Sequence, residues 1–282
     1  DDGGERLFAD DEQNARCNNS YNVLLPQSSL STPLNVKGRQ KRYQTWTAMP
    51  YKERSNNGLY KLIHAVCTQQ KIYSTIEYDA KLICKKVCTQ KHKFGVNKDK
   101  MIITRGKNRK GILAACLYIA CRKNKHTRSS KEIAEYFDKI DQDIKITEAD
   151  VNKGVSMINI ILKGDPIIEN TGTSYVSDFI QRKCDELHIE NTNTKLALTI
   201  GKNIERLELG SNHTTYALAA ASIMLMLDAK KINKITKQDI SHVFNDLTEV
   251  TITKTFFQLY KYINILINDE VVYKISQRIA EK

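Results

Sequence analysis

Ten consecutive residues, Ile112 to Cys121, read Ile-Leu-Ala-Ala-Cys-Leu-Tyr-Ile-Ala-Cys. A run that is apolar on every side is not an amphipathic surface helix; it is a helix buried all round. Its alanines and cysteines keep it thin, so neighbouring helices can approach closely. Basic residues Arg105, Lys107, Arg109 and Lys110 lead into it, and a second basic loop, Arg122 to Arg128, follows. Ser129 or Ser130 then caps a short helix from Lys131 to Phe137, with Glu132 and Ile133 in its first turn. The same order returns further along. Ala217 to Leu227 (ALAAASIMLML) is another thin, fully apolar helix, and Asp228 to Phe244 repeats the basic loop and short helix. Cys116 falls on Ser222 at an offset of 106, and Ile133 on Ile240 at 107. Self-similarity at a fixed period marks a duplicated unit, and a period this long means two domains rather than a solenoid.

A chain of 282 residues, 41% of them hydrophobic, can build two such cores. Only 4 prolines are present and strand-like alternation is scarce, so helix is favoured throughout. Lys, Ile and Asn are abundant, as in the proteins of an AT-rich genome. Seven cysteines are scattered without a CxxC pair; Cys84 with Cys88 and Cys116 with Cys121 sit at helical spacings in apolar runs. They read as free, buried thiols. No apolar run reaches the length of a membrane span, and no signal peptide is seen. The chain starts at Asp1 rather than methionine, so its start need not be that of the protein.

The formal net charge of +12 and pI near 9.2 suit a polyanionic partner, most simply nucleic acid; a solvated basic surface is the other reading. Clustering favours the first. Lys91 to Lys110 holds eight Lys or Arg against the single acid Asp99.

Apolar residues at steps of three and four place helices near 57–71, 75–93, 109–123, 129–137 and 147–163. Their inward stripes are expected at Leu59, Leu62, Ile63 and Val66, then Tyr78, Leu82, Ile83 and Val87, and in the fifth helix Val151, Val155, Ile158 and Leu162. Gly164-Asp165-Pro166 ends this domain. A second set follows near 173–187, 192–209, 213–229, 236–244 and 248–264, with a last short helix over 270–281. Ahead of these, residues 1–12 are acidic around Phe8 and residues 13–35 are polar without periodicity, an extended and mostly irregular segment. Residues 36–54 turn basic with Tyr43, Trp46 and Tyr51 interleaved, suiting either an acidic groove or an ordinary linker.

Chemistry-bearing motifs are missing. There is no GxxxxGK[ST], GxGxxG or HExxH, and none of the six histidines pairs with an acid or cysteine at a motif spacing. His188 and His242 read as half-buried helix residues. No catalytic residue and no metal ligand set is expected, and the chain reads as a non-enzyme. Residues 237–260 instead read as a helix-turn-helix, with Val250, Thr251, Thr253 and Lys254 at the start of the second helix, the end that reaches base edges in the major groove.

The motifs AACLYIACR and KEIAEYF, then AAASIM, KQDI and EVTITKTFFQLY, resemble the transcription factor IIB family. The resemblance covers nearly the whole chain. It implies an all-α fold of two tandem five-helix cyclin-fold repeats, at 57–166 and 172–282, behind a reader-like segment (1–35) and a basic linker (36–56). GGERLFADD is similar to the family's reader motif, with Arg6 and Phe8 matching; SSLST is similar to a motif that follows it, and KRYQTWTAM to the linker. Polymerase contact is thereby implied for Arg6, Phe8, Arg39, Lys41, Arg42 and Trp46. The family's zinc ribbon is not in this sequence: either it lies upstream of Asp1 or the protein lacks it; no cofactor is expected in this chain. Arg105-Gly106-Lys107 matches a backbone-contacting Lys-Gly-Arg, and the DNA set implied is Arg105, Lys107, Arg109, Lys110, Lys153, Val250, Thr251, Thr253 and Lys254. Val250 matches a base-reading valine, but Thr253 stands where the family has arginine. Threonine cannot grip guanine, though it can touch a thymine methyl, so A·T-rich flanks are the expected preference. Arg122 matches an arginine that meets the TATA-binding protein. At the start of the fifth helix, however, Glu148 and Ala149 replace two lysines, a reversal that would repel an acidic partner.

The resemblance implies a general initiation factor that holds promoter double-stranded DNA with a TATA-binding protein, docks on a multisubunit RNA polymerase, and assists duplex opening and start-site selection. It would act at the site of transcription: host cytoplasm or virion for a large DNA virus, the nucleus for a cellular eukaryote. A cyclin-like regulatory subunit of a protein kinase shares the fold and stays open as the alternative. So does a related factor of RNA polymerase III.

Overall fold

The apolar runs become helices. A computed structural model describes residues 22–28, 37–91, 98–140, 145–169, 171, 174–245 and 247–280. Helices α1 (Gly38–Ala48), α2 (Tyr51–Gln69), α3 (Ser74–Thr89), α4 (Gly106–Lys123), α5 (Ser130–Ile140) and α6 (Glu148–Ile161) are followed by a single turn, α7 (Pro166–Glu169). Then come α8 (Val176–Glu186), α9 (Asn191–Arg206), α10 (Thr215–Ala229), α11 (Lys237–Val243), α12 (Glu249–Tyr260), the turn α13 (Ile263–Leu266) and α14 (Asp269–Ala280). Among the described residues the only β pairing is an isolated bridge between Lys91 and Met101. The fold is all-α, and α2–α6 and α8–α12 form the two sets of five. The contacts divide the chain into two units, Asp1–Ala120 with Glu132–Glu169, and Cys121–Lys131 with Asn170–Lys282.

In the first unit α4 is the central helix, buried from Gly111 through Cys121 apart from half-buried Tyr118. Around it α2 turns in Tyr60, Ile63, Val66 and Cys67, and α3 turns in Ile76, Ala80, Ile83, Cys84 and Val87. This corrects two stripes. Tyr78 is 48% exposed, because α3 packs through the row 76, 80, 83 and 87. Leu59, Leu62, Leu82 and Val155 are half-buried rather than buried. In α6 the row runs Val151, Gly154, Ile158, because glycine lets the α6 backbone meet α4.

The basic stretch before the first repeat is not irregular. It forms α1, and α2 starts at Tyr51, directly after Pro50, rather than at 57. The first inward residues of α2 are polar, Glu53 and Asn56, which conceals its start from an apolar-periodicity argument. Glu53 is buried because residues 22–28 fold onto it. Its Oε1 accepts the Gln27 N–H at 2.8 Å, and its Oε2 accepts the Ser28 N–H at 2.8 Å and the Ser28 hydroxyl. Burial pushes its carboxyl up, but these hydrogen bonds outweigh that and hold it below the usual range. Lys85 donates to the Val23 carbonyl from α3.

The second unit is built around α10, buried from Tyr216 through Leu227. Against it lie Phe179 and Ile180 of α8, Ile200 and Ile204 of α9, Ile240 of α11, and Ile252, Phe256 and Leu259 of α12. Helix α14 lies against α9 and buries Val272.

The helix ends follow one rule in both units. Lys71, Lys125, His188, Glu208 and Lys231 adopt positive φ of 50° to 57° just past α2, α4, α8, α9 and α10. After α2, the Lys71 N–H reaches the Thr68 carbonyl and the Ile72 N–H the Cys67 carbonyl. After α10, Lys231 and Ile232 do the same to Asp228 and Leu227. These are Schellman caps made without glycine. His188 is therefore an exposed cap residue rather than a half-buried helix residue, and His242 is exposed on α11.

The described thiols lie mostly inside the fold. Cys67, Cys84, Cys116, Cys121 and Cys184 are buried and Cys88 is half-buried. Burial pushes the Cys184 thiol up to about 11, and the Cys84 thiol is raised by its hydrogen bond to Cys116.

Candidate nucleic-acid interface

Helices α11 and α12 form a helix-turn-helix. Thr236 opens α11 with a capping box: its hydroxyl accepts the Asp239 N–H, and the Asp239 carboxylate accepts the Thr236 N–H at 2.7 Å. Thr248 caps α12 by accepting the Thr251 N–H. With Ile252, Thr255, Phe256 and Leu259 facing inward, the opposite face of α12 is left to solvent. Val250 is 63% exposed and Lys254 is exposed, while Thr253 is half-buried. Thr251 serves the cap instead. Its hydroxyl lies 3.0 Å from that of Thr248, and its carbonyl accepts the Thr255 hydroxyl at 2.9 Å.

Two residues that sequence reasoning missed brace this motif. Lys183 of α8 is only 2% exposed. Its ammonium donates to the Val243 carbonyl at 2.8 Å, pairs with Glu186 at 2.9 Å and sits 5.6 Å from the centre of the Phe244 ring. A cation at the last carbonyls of α11 suits the negative end of its dipole. His213, before α10, has Nε2 2.7 Å from Gln258 Oε1 and Nδ1 3.3 Å from the Thr255 hydroxyl, both on α12. In the turn, the Ser241 hydroxyl donates to the Leu247 carbonyl at 2.9 Å, and Lys131 donates to the Asn245 carbonyl at 2.9 Å. The bracing contacts of Lys183 and His213 carry no local sequence signal, because Val243 and Thr255 lie 60 and 42 residues away.

The first unit gathers its basic residues where α4 begins beside α6. Arg105 is exposed just before α4. Lys107 pairs with Asp150 at 2.8 Å, and Lys153 donates to Asn108 Oδ1 at 3.4 Å. The Lys107 ammonium and the Thr147 hydroxyl hold the Asp150 carboxyl at about 2. Arg109 is half-buried and works structurally: its Nη2 donates to the Ser55 hydroxyl at 2.7 Å and the Ser55 carbonyl at 3.3 Å. Lys110 is half-buried. Of the expected phosphate contacts, Arg105, Lys107 and Lys153 thus share one exposed edge.

Residues 53–147 match the transcription factor TFIIB repeat. Over 260 residues the chain is 36% identical to a putative transcription initiation factor IIB-like protein of Acanthamoeba polyphaga mimivirus, covering 90% of this chain and 54% of that protein. It is 27% identical over 284 residues to transcription initiation factor IIB of Encephalitozoon cuniculi, covering 98% of this chain and 83% of that one. The rice (Oryza sativa subsp. japonica) transcription initiation factor IIB is likewise 27% identical, over 93% of this chain and 81% of its own. This chain belongs to the transcription factor IIB family. It spans about half the length of the mimivirus relative.

The linker's Arg39, Lys41 and Arg42 are exposed on α1, and Trp46 is 53% exposed. Trp46 meets Tyr43 edge-on at 6.0 Å, and the Arg54 guanidinium lies 6.0 Å from its ring centre. The reader residues Arg6 and Phe8 lie outside the described residues. So do most of SSLST and residues 92–97 of the basic run. Arg122 is half-buried in the segment that belongs to the second unit, near Asp178. Burial raises the Asp178 carboxyl, while Lys125, Arg122 and His126 pull it down. Glu148 and Ala149 are both exposed at the start of α6. Among the described residues no group of three or more His, Cys, Asp or Glu could hold a metal ion.

Proposed function

We propose that this chain is a promoter-bound initiation factor. It holds duplex DNA together with a TATA-binding protein or a divergent equivalent, and it docks on a multisubunit RNA polymerase through its reader and linker. There it assists duplex opening and start-site selection without catalysing a reaction, and it needs no cofactor of its own. The observation that carries this is α12: a capped second helix of a helix-turn-helix, braced from α8 and the α9–α10 loop, that presents Val250, Thr253 and Lys254 outward. The exposed edge of Arg105, Lys107 and Lys153 adds phosphate contacts that carry no sequence information. Thr253 in place of arginine favours A·T-rich over guanine-rich elements.

The test joins two measurements on the full chain. Binding to promoter duplex should weaken steeply with salt, with a slope of several counterions. Affinity capture from the native source should return multisubunit RNA polymerase subunits. Recovery of a kinase without polymerase, or DNA binding indifferent to salt, would sink the reading.

A further inference from the structure

The outward face of α12 carries large apolar groups among its cations, where a surface for phosphate alone would be basic throughout. Phe257 is 60% exposed, almost as open as Val250 at 63%, although its neighbours Phe256 and Leu259 go into the core. The ring is not adrift. It stands edge-on to Phe256, with centroids 5.5 Å apart and planes at 68°. Lys254 and Lys261 are exposed at three residues before and four after it, so the ring lies between two cations. Residues 250, 253, 254 and 257 are spaced 0, 3, 4 and 7 and therefore share one helix face. The same spacing carries the groove contacts of homeodomain recognition helices. An apolar group between cations suits a polyanion with apolar groups on its groove floor. In the major groove that group is the thymine C5 methyl.

We propose that Phe257 is a second base-reading residue of α12, seated on a thymine methyl, with Lys254 and Lys261 on the flanking phosphates. Seven helical residues span about 10 Å, and base pairs rise about 3.4 Å each. Val250 and Phe257 therefore address thymines about three base-pair steps apart. The assignment rests on α12 lying in the major groove and names what that face selects there.

The experiment measures binding of the full chain to three duplexes of equal length: alternating A·T, the same duplex with deoxyuridine for every thymine, and G·C. Deoxyuridine removes the methyl and leaves phosphates and hydrogen-bonding groups unchanged. One buried methyl is worth about fourfold in affinity, so uracil should weaken the native chain by about fifteenfold through Val250 and Phe257, and further by whatever Thr253 adds. Phe257→Ala should bind the thymine duplex about fourfold more weakly and show a uracil effect about fourfold smaller than the native chain's. Its melting should change little, since the ring is mostly exposed and touches the core only edge-on at Phe256. A variant with native affinity and the native thymine-to-uracil ratio would overturn the assignment and leave DNA binding by α12 intact. So would a variant that keeps its DNA affinity and loses capture of a protein partner, which would make Phe257 a protein contact. If the native chain binds none of the three duplexes in a salt-dependent way, the DNA reading itself fails, and this one with it.

Discussion

Gly154 of α6 lies against Gly111 of α4. A Cβ at position 154 would stand 2.6 Å from the Gly111 carbonyl oxygen and 2.9 Å from the Ala115 Cβ, and one at 111 would stand 3.0 Å from the Asp150 carbonyl oxygen. The two helices meet backbone to backbone, beside the Lys107–Asp150 pair and the Lys153–Asn108 bond.

Gly154→Ala should therefore destabilise the first unit. Helix propensity would gain up to about 1 kcal/mol, but the obstacle is backbone that cannot turn aside, and overpacking costs about 1–3 kcal/mol or more. Gly58→Ala is the control: nothing stands within 4 Å of its Cβ, so it should stabilise by about 0.5–1 kcal/mol. Thermal melting of the two variants should move in opposite directions.

The caps at Lys71 and Lys231 hold non-glycine residues at φ 50° and 53°. Lys71→Gly and Lys231→Gly should each raise stability by about 0.5 kcal/mol, since the strain relieved exceeds the entropy that glycine adds to the unfolded chain. Lys71→Val should lower it, because a β-branched residue resists this conformation. Denaturant midpoints will rank the three.

Lys183→Met should loosen the helix-turn-helix. Removing the ammonium leaves the Val243 carbonyl without its partner, while Glu186 keeps Arg182, at a cost of about 1–3 kcal/mol. Hydrogen exchange should quicken at Phe244 and Leu247, with DNA affinity falling alongside. Protection equal to that of the native chain would show that Lys183 does not brace the motif.

Glu53 makes the seat of residues 22–28 sensitive to acid. Its folded pKa is depressed, so its contribution is fully present above the unfolded value and is lost as pH falls through the folded one. The Gln27 and Ser28 amides should gain exchange only below the ordinary glutamate range. In Glu53→Gln they should exchange fast at neutral pH. A pH-independent profile in the native chain would refute this.

Arg105 and Arg109 look equivalent in sequence but should differ on substitution. Arg105→Ala should lower the salt slope of DNA binding by about 1 with stability unchanged. Arg109→Ala should also lower the melting temperature, because Arg109 ties α4 to Ser55 of α2.

Much of this was legible beforehand. The thin apolar runs at Ile112 and Ala217 placed the central helices, because a segment with no polar face has only one environment open to it. The helices over 237–260 and the turn between them also followed from the sequence. Other features were hidden. Residues 38–48 carry few apolar residues inward, so no periodicity marked α1. Phe257 and Lys261 lie seven and eleven residues from Val250, a spacing that could have added them to the reading face. It did not, because an apolar residue in an amphipathic helix reads as core.

The sequence by itself determined the duplication, the helices and their order, since these follow from local patterning and its recurrence. Only the tertiary structure decided which charges are taken up inside the fold. Lys183 is buried on a helix end and Arg109 is spent on Ser55, while Lys107 stays exposed beside Asp150. A charge's role depends on the partner that folding brings to it and on how much water folding takes away, and neither is written in its neighbours along the chain.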